Sequence, residues 1–212
     1  MPTPNIKIFQ KSDLGSLNLP LPIYNTVIIG EATNKEGKEF SIFIGLDKNM
    51  VTQLKALSLD ENDVELQNNT SDLKRFGEGL YEDWYKKNRT PFALAHGDTN
   101  TLAAIIWLGP KPLGRKSLKH LSNEQISKDE TELNNKDWHT LSARCYAPFR
   151  GTGVMKYFGN FVVDFYLKKF PGIKLWSTIE RGNTASLNLF LSLGFIIKEE
   201  ISDDTSIVTV KE

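Results

Sequence analysis

The segment that most constrains this chain is Arg150-Gly151-Thr152-Gly153-Val154-Met155, because of what flanks it. Upstream, Trp138 to Tyr146 alternates in the period of a strand. Downstream, Val154 to Phe170 is apolar-rich and stopped by Pro171-Gly172, which reads as a helix. A strand, a glycine turn and a helix N-terminus in direct succession make an anion site. The first N–H groups of a helix have no intrahelical partner and point at whatever sits in the turn. Glycines let the main chain approach a phosphate closely, and Arg150 adds positive charge. No Lys-Ser/Thr pair follows Gly153, which argues against a nucleoside-phosphate site.

A second motif lies downstream. Leu175 to Ile179 reads as a strand, Glu180-Arg181-Gly182-Asn183 as a turn, and Thr184 to Leu193 as a short helix closed by Gly194-Phe195. Together the two motifs resemble the signatures of the GNAT superfamily, the acyl-CoA-dependent N-acyltransferases. Arg150 and Gly153 match the first signature, Arg/Gln-x-x-Gly-x-Gly/Ala, and Met155 stands where Gly or Ala is usual. Asn183, Ser186, Phe190, Gly194 and Phe195 fit the second. The resemblance covers roughly residues 92 to 212.

That resemblance implies an α+β fold, a mixed and mostly antiparallel sheet flanked by helices, here with an N-terminal β-hairpin extension. It implies that acetyl-CoA, or another acyl-CoA, binds as cosubstrate with its pyrophosphate over Arg150, Gly151, Thr152, Gly153, Val154 and Met155. The backbone of Ala143, Cys145 and Tyr146 would pair with the pantetheine amides as if the arm were an added strand. Asn183 would hydrogen-bond the same arm, a role compatible with capping the helix that follows it. Phe190 would pack against the thioester. No metal is implied.

Acyl transfer to an amine needs a base for the amine proton and an acid for the leaving thiolate. Many bacterial members of the family carry Glu late in the fifth strand and Tyr twelve residues later. Here those positions are Thr178 and Phe190, and neither side chain can do that work. Histone and arylalkylamine acetyltransferases carry Glu or His on the fourth strand, eleven residues before the Arg/Gln position. That position is His139, which alternation puts on one face with Leu141, Ala143 and Cys145. Cys145 itself reads as a buried aliphatic substitute rather than a nucleophile. The expected activity is direct acetyl transfer to a primary amine of a small molecule or peptide. The alternative is a non-catalytic module of the same fold.

A chain of 212 residues reads as one domain: an extended arm over 1–22, a hairpin and helices over 23–91, and the acyl-CoA-binding core over 92–212. Thr26 to Ile29 and Phe40 to Ile44 read as a hairpin around Asn34-Lys35-Glu36-Gly37. Asn49 to Leu59 reads as a helix, and Thr70-Ser71-Asp72 as the N-cap of a longer one from Asp72 to Lys87. Strands are expected at Phe92 to His96, Thr101 to Leu108, Phe195 to Ile201 and Ser206 to Val210. Residues 109–137 read either as partly helical (Asn123 to Leu133) or as a flap. Lys111, Arg115, Lys116, Lys119 and His120 there either reach the CoA 3′-phosphate or form a wet basic loop. Carboxylates Glu78, Glu82 and Asp83, with Trp84 and Tyr85, and Asp203-Asp204 either line the acceptor pocket or are solvated faces.

Basic and acidic residues balance at 26 each, which removes a global electrostatic case for nucleic acid or an anionic membrane. A single cysteine excludes an internal disulfide and fits a reducing compartment. No secretory signal is expected from Met1-Pro2-Thr3-Pro4-Asn5, and no apolar run reaches the length of a membrane span. A cytoplasmic monomer or homodimer is the expectation.

Overall fold

The computed structural model describes residues 5–8, 14–114 and 137–212. Its frame is a nine-stranded sheet in the order β1-β2-β3-β4-β5-β6-β7-β9-β8. In chain order the strands are β1 (Asn5–Ile8), β2 (Val27–Thr33), β3 (Glu39–Ile44), β4 (Thr90–His96) and β5 (Thr101–Pro110). β6 (Trp138–Cys145), β7 (Lys174–Glu180), β8 (Ile196–Ile197) and β9 (Ser206–Lys211) complete it. Every neighbouring pair is antiparallel except β6 with β7.

β4 and β5 lie centrally and are buried on both faces, which is why their sequences run almost continuously apolar instead of alternating. Phe92, Leu94, Ile106 and Leu108 point into one core; Ala93, Ala95, Ile105 and Trp107 point into the other. The first core is closed by α4 (Val154–Lys169), whose Val154, Phe158, Val162 and Tyr166 recur every fourth residue on one face. The second is closed by α1 (Lys48–Leu59), which buries Met50 and Leu54, and by the rings of Phe76, Tyr81, Trp84 and Tyr85. Asp47 caps α1 by accepting the Met50 N–H at 2.8 Å. The remaining helices are α2 (Val64–Asn69), α3 (Tyr81–Tyr85) and α5 (Thr184–Ser192).

The hairpin, the first helix and the strands from Phe92 to Leu108 form as expected, and residues 5–8 of the arm add β1 to the sheet edge. Two expectations need correcting. The single helix from Asp72 to Lys87 is instead a π-helical turn, Leu73–Gly77, followed by α3. Gly79 marks the break: a Cβ there would come within 2.6 Å of the Arg75 carbonyl oxygen. Asp72 does not cap this turn, because its carboxylate is taken by arginines. The strand from Phe195 to Ile201 shrinks to Ile196–Ile197 followed by a 3-10 turn at Glu199–Ile201. Phe195 instead turns inward, edge-to-face against Phe190 with ring centroids 5.1 Å apart. The helix Asn123 to Leu133 and the basic residues Arg115, Lys116, Lys119 and His120 lie outside the described residues.

The packing of α4 yields a test. Phe158 is 0% exposed, whereas the adjacent Tyr157 is 39% exposed. Phe158→Ala should cost about 3–5 kcal/mol in urea unfolding, and Tyr157→Ala under about 1 kcal/mol. Equal losses would contradict this orientation of the helix.

Candidate active site

β6 and β7 pair in parallel over three residue pairs only, Trp138–Lys174, His139–Leu175 and Thr140–Trp176. Past that point they part. Toward their C-terminal ends β6 is still held by β5 and β7 by β9, but not by each other. Between them lies a cavity of about 460 Å³. Its lining includes the glycine turn and the start of α4, and also Ser71, Arg75, Lys111 and Trp176.

Backbone conformation fixes the turn end. Gly151 (φ +73°) and Gly153 (φ +82°) both adopt the left-handed region that side chains disfavour. Gly153 is the N-cap of α4 and supplies no side chain to its first N–H groups, which leaves those donors to a ligand. A Cβ on Gly153 would also come within 2.6 Å of Lys35 Cε, because Lys35 reaches over the turn from the β2–β3 connection. The Lys35 N–H donates to the Thr152 carbonyl at 3.2 Å, which ties that connection to the turn.

Arg150 does not project a free cation over the turn. Its Nε donates to the Cys145 carbonyl at 2.7 Å, and Nη1 and Nη2 clasp the Asp63 carboxylate at 2.7 and 2.6 Å. Hydrogen bonding from Arg150 holds the Asp63 carboxyl below its usual range, against the opposing effect of burial. Lys35, a residue that no local motif marks, is the cation whose side chain lies against Gly153.

Ala143, Cys145, Arg150, Gly151, Thr152, Gly153, Met155, Asn183 and Phe190 all line the cavity. Val154 is not among the lining residues; its side chain is buried in the core at 1% exposure. Tyr146 stands apart: its N–H donates to the Ala103 carbonyl at 2.9 Å, and its carbonyl accepts the Phe149 N–H at 2.8 Å. Both of its main-chain groups are committed within the protein. Asn183 caps α5 by accepting the Ser186 N–H at 3.0 Å and also lines the cavity. Burial pushes the Cys145 thiol up to about 11, so it stays protonated at neutral pH and is no nucleophile.

His139 is not among the lining residues. Alternation places it as expected with Leu141, Ala143 and Cys145, but that face of β6 packs on α4. Its Nδ1 is hydrogen-bonded to Tyr166 Oη at 2.8 Å, and its ring lies against Tyr166 and Phe170. Thr178 and Phe190 do reach the cavity, where Glu180 also stands. The acidic residues proposed for the acceptor pocket are elsewhere. Glu82 accepts from Tyr24 Oη, Trp84 and Tyr85 are core, and Asp203 accepts the Thr205 and Ser206 N–H groups in the last hairpin. In their place Ser142, Arg144, Arg75, Trp176 and Ser177 form the wall, residues with no motif to flag them.

Asp72, fully buried, anchors that wall. Arg144 donates to it through Nε at 2.7 Å and Nη2 at 3.1 Å, and Arg75 through Nη1 at 2.6 Å. Burial opposes its charge, but the two guanidiniums outweigh that and hold the carboxyl below its ordinary value.

No family model and no curated protein matches the sequence. Solved structures do. The GNAT domain of S. lividans PAT superposes with a TM-score of 0.60 at 11% identity, covering 85% of this chain and 94% of that one. An acetyltransferase from Agrobacterium tumefaciens gives 0.56 at 14% identity, covering 92% and 98%. Spermidine N-acetyltransferase from Vibrio cholerae, solved with CoA and spermine, gives 0.53 at 14% identity, covering 80% and 92%. At such identities the likeness is one of fold, and the fold is the GNAT fold.

Removing the Asp72 charge strands two guanidiniums, so Asp72→Asn should cost about 3–5 kcal/mol at pH 7. Because the folded carboxyl titrates below the unfolded one, this stabilisation is complete above about pH 5 and fades as pH falls through about 4 and below. Urea unfolding of both proteins at pH 7 and pH 3 checks it. A gap as wide at pH 3 as at pH 7 would contradict the account.

Proposed function

With the GNAT fold as premise, we propose that this protein transfers an acyl group, acetyl first, from an acyl-CoA to the amine of a small acceptor. Transfer is by direct attack in a ternary complex. The observation that carries the reading is the opening between β6 and β7 with the Gly151–Gly153 turn at one end. It supplies both things an acyl-CoA requires: a strand edge with no neighbouring strand for the pantetheine amides, and helix N–H groups for the pyrophosphate. The solved neighbour with CoA and spermine bound supports the same cosubstrate class and a small amine acceptor.

Ala143 and Cys145 would offer the main chain, Asn183 its amide, and Phe190 an apolar surface for the thioester. Gly151, Thr152, Gly153, Val154 and Met155 would receive the pyrophosphate, with Lys35 as the cation. An acyl-CoA supplies the activated thioester; the amine nitrogen bonds to its carbonyl carbon, the C–S bond breaks, and the thiolate takes a proton. The amine proton needs an acceptor in the cavity. Glu65 lies 3.4 Å from Arg150 at the turn, whereas Glu180 ends β7 on the wall where the strands part. We assign the base to Glu180, acting through a water, and to His139 the positioning of β6 on α4.

A second reading, a CoA-binding module without turnover, is favoured by Thr178 and Phe190 standing where the common Glu/Tyr pair would be. Calorimetry and thermal unfolding with acetyl-CoA test the shared part. At about a hundred times its dissociation constant the ligand should add roughly 2.7 kcal/mol of stability. Lys35→Ala should weaken binding about 3- to 10-fold, less at high salt. Absence of binding by any acyl-CoA would end both readings.

The base assignment has its own test across a panel of primary amines. Glu180→Gln should lower kcat about 10²- to 10⁴-fold with acetyl-CoA affinity intact, while His139→Ala should lower stability more than kcat. The reverse pattern would return the base to His139. Binding with no turnover of any amine would favour the module.

A further inference from the structure

Among the residues lining the cavity, one cluster carries a surplus cation. Asp72 offers one carboxylate to two guanidiniums, so the Arg75–Asp72–Arg144 cluster bears one net positive charge. Both arginine side chains are largely buried, at 16% and 15% exposure, and both lie over the Trp107 ring, at 5.5 and 4.9 Å from its centroid. Arg144 is spent: it donates to both Asp72 oxygens and to the Ala143 carbonyl at 2.8 Å. Arg75 is not. Its side chain donates once, from Nη1 to Asp72, and among the described residues Nε and Nη2 have no partner while the residue lines the cavity.

The same cavity is lined by the hydroxyls of Ser71, Ser142 and Ser177 and by the ring of Trp176. Lys111 Nζ lies 5.4 Å from the centroid of the Trp176 ring. The lining carboxylates are Glu65, in α2 and 3.4 Å from Arg150, and Glu180, at the end of β7. A surplus, largely buried guanidinium is a poor neighbour for an acceptor that is only cationic, because like charge in a partly desolvated space is costly. It is a good site for a carboxylate, which matches the planar fork of a guanidinium.

We propose that the acceptor is a small amine that also bears a carboxylate, an amino-acid-like molecule, and that Arg75 receives the carboxylate. This inference rests on the acyl-transfer reading and names the substrate class of that site. Arg75 is then a specificity residue: it touches substrate at the end away from the reacting nitrogen. Arg144 and Asp72 hold it in place.

The test pairs amino acids with their decarboxylated amines, lysine with cadaverine, tyrosine with tyramine and β-alanine with ethylamine, and adds spermine as a pure polycation. With the full chain and saturating acetyl-CoA, CoA release gives kcat/KM; calorimetry in the presence of CoA gives affinity. The carboxylated member should win by about 10- to 100-fold in at least one pair, the worth of one charge-assisted hydrogen bond, and should lose in none. Arg75→Gln should bring that ratio toward one while acetyl-CoA affinity stays within about twofold, and Arg75→Lys should keep part of it. Should Arg75→Gln fail to fold, the wild-type ratio and Arg75→Lys still decide. Equal or better use of the decarboxylated amines or of spermine would overturn the proposal, as would a ratio unchanged in Arg75→Gln. If acetyl-CoA does not bind at all, acyl transfer is refuted on its own, and binding of the amino acids to the CoA-free chain still decides the carboxylate site.

Discussion

Everything functional here depends on two strands that pair briefly and then separate. β6 and β7 are parallel partners from Trp138 to Thr140, and beyond that each keeps its outer neighbour but loses the inner one. Strand backbone left without a ladder must find other partners. On β6 two carbonyls are taken by side chains: Arg144 Nη1 covers Ala143, and Arg150 Nε covers Cys145. The gap is thus a stable feature of the fold, and it places a strand edge, a helix N-terminus and a short polar wall around one volume.

Two ion clusters hold the walls of that volume. Asp63, the N-cap of α2, clasps Arg150 and so fixes α2 against the turn. Asp72, before the π-helical turn, clasps Arg144 and so fixes that turn against β6. Each joins elements more than seventy residues apart. The Asp63 pair is partly exposed and contributes modestly. The Asp72 cluster is buried, so breaking it would strand charges, and its surplus charge shapes the chamber as much as its volume does.

Much of the fold was legible in the sequence. The glycine turn, the strand before it, the helix after it and the Asn183 motif depend on local chemistry: glycines at positive φ, an Asn cap, apolar residues in period. The helix over residues 72–87 was misread because Asp72 looks like a cap by local rules, while its partner Arg144 lies far along the chain. The face of His139 was read correctly, since alternation is local. Its distance from the cavity was not, because Tyr166 and Phe170 claim the ring from a helix whose packing no strand pattern reports. Arg75 and Lys35 carry no motif at all, and Glu180 opens the turn of the second motif without being one of its signature positions. The sheet brings the π-helical turn and the end of β7 to one opening, and the β2–β3 connection against its glycine turn.

The central claim is that an acyl-CoA lies along β6 with its phosphates at the start of α4. Amide hydrogen exchange read by mass spectrometry, with and without saturating acetyl-CoA, tests it most directly. Exchange should slow in peptides covering Ala143–Cys145 and Gly151–Lys156 and stay unchanged in β2 and α1. Protection confined to other segments, or none at saturating ligand, would contradict it.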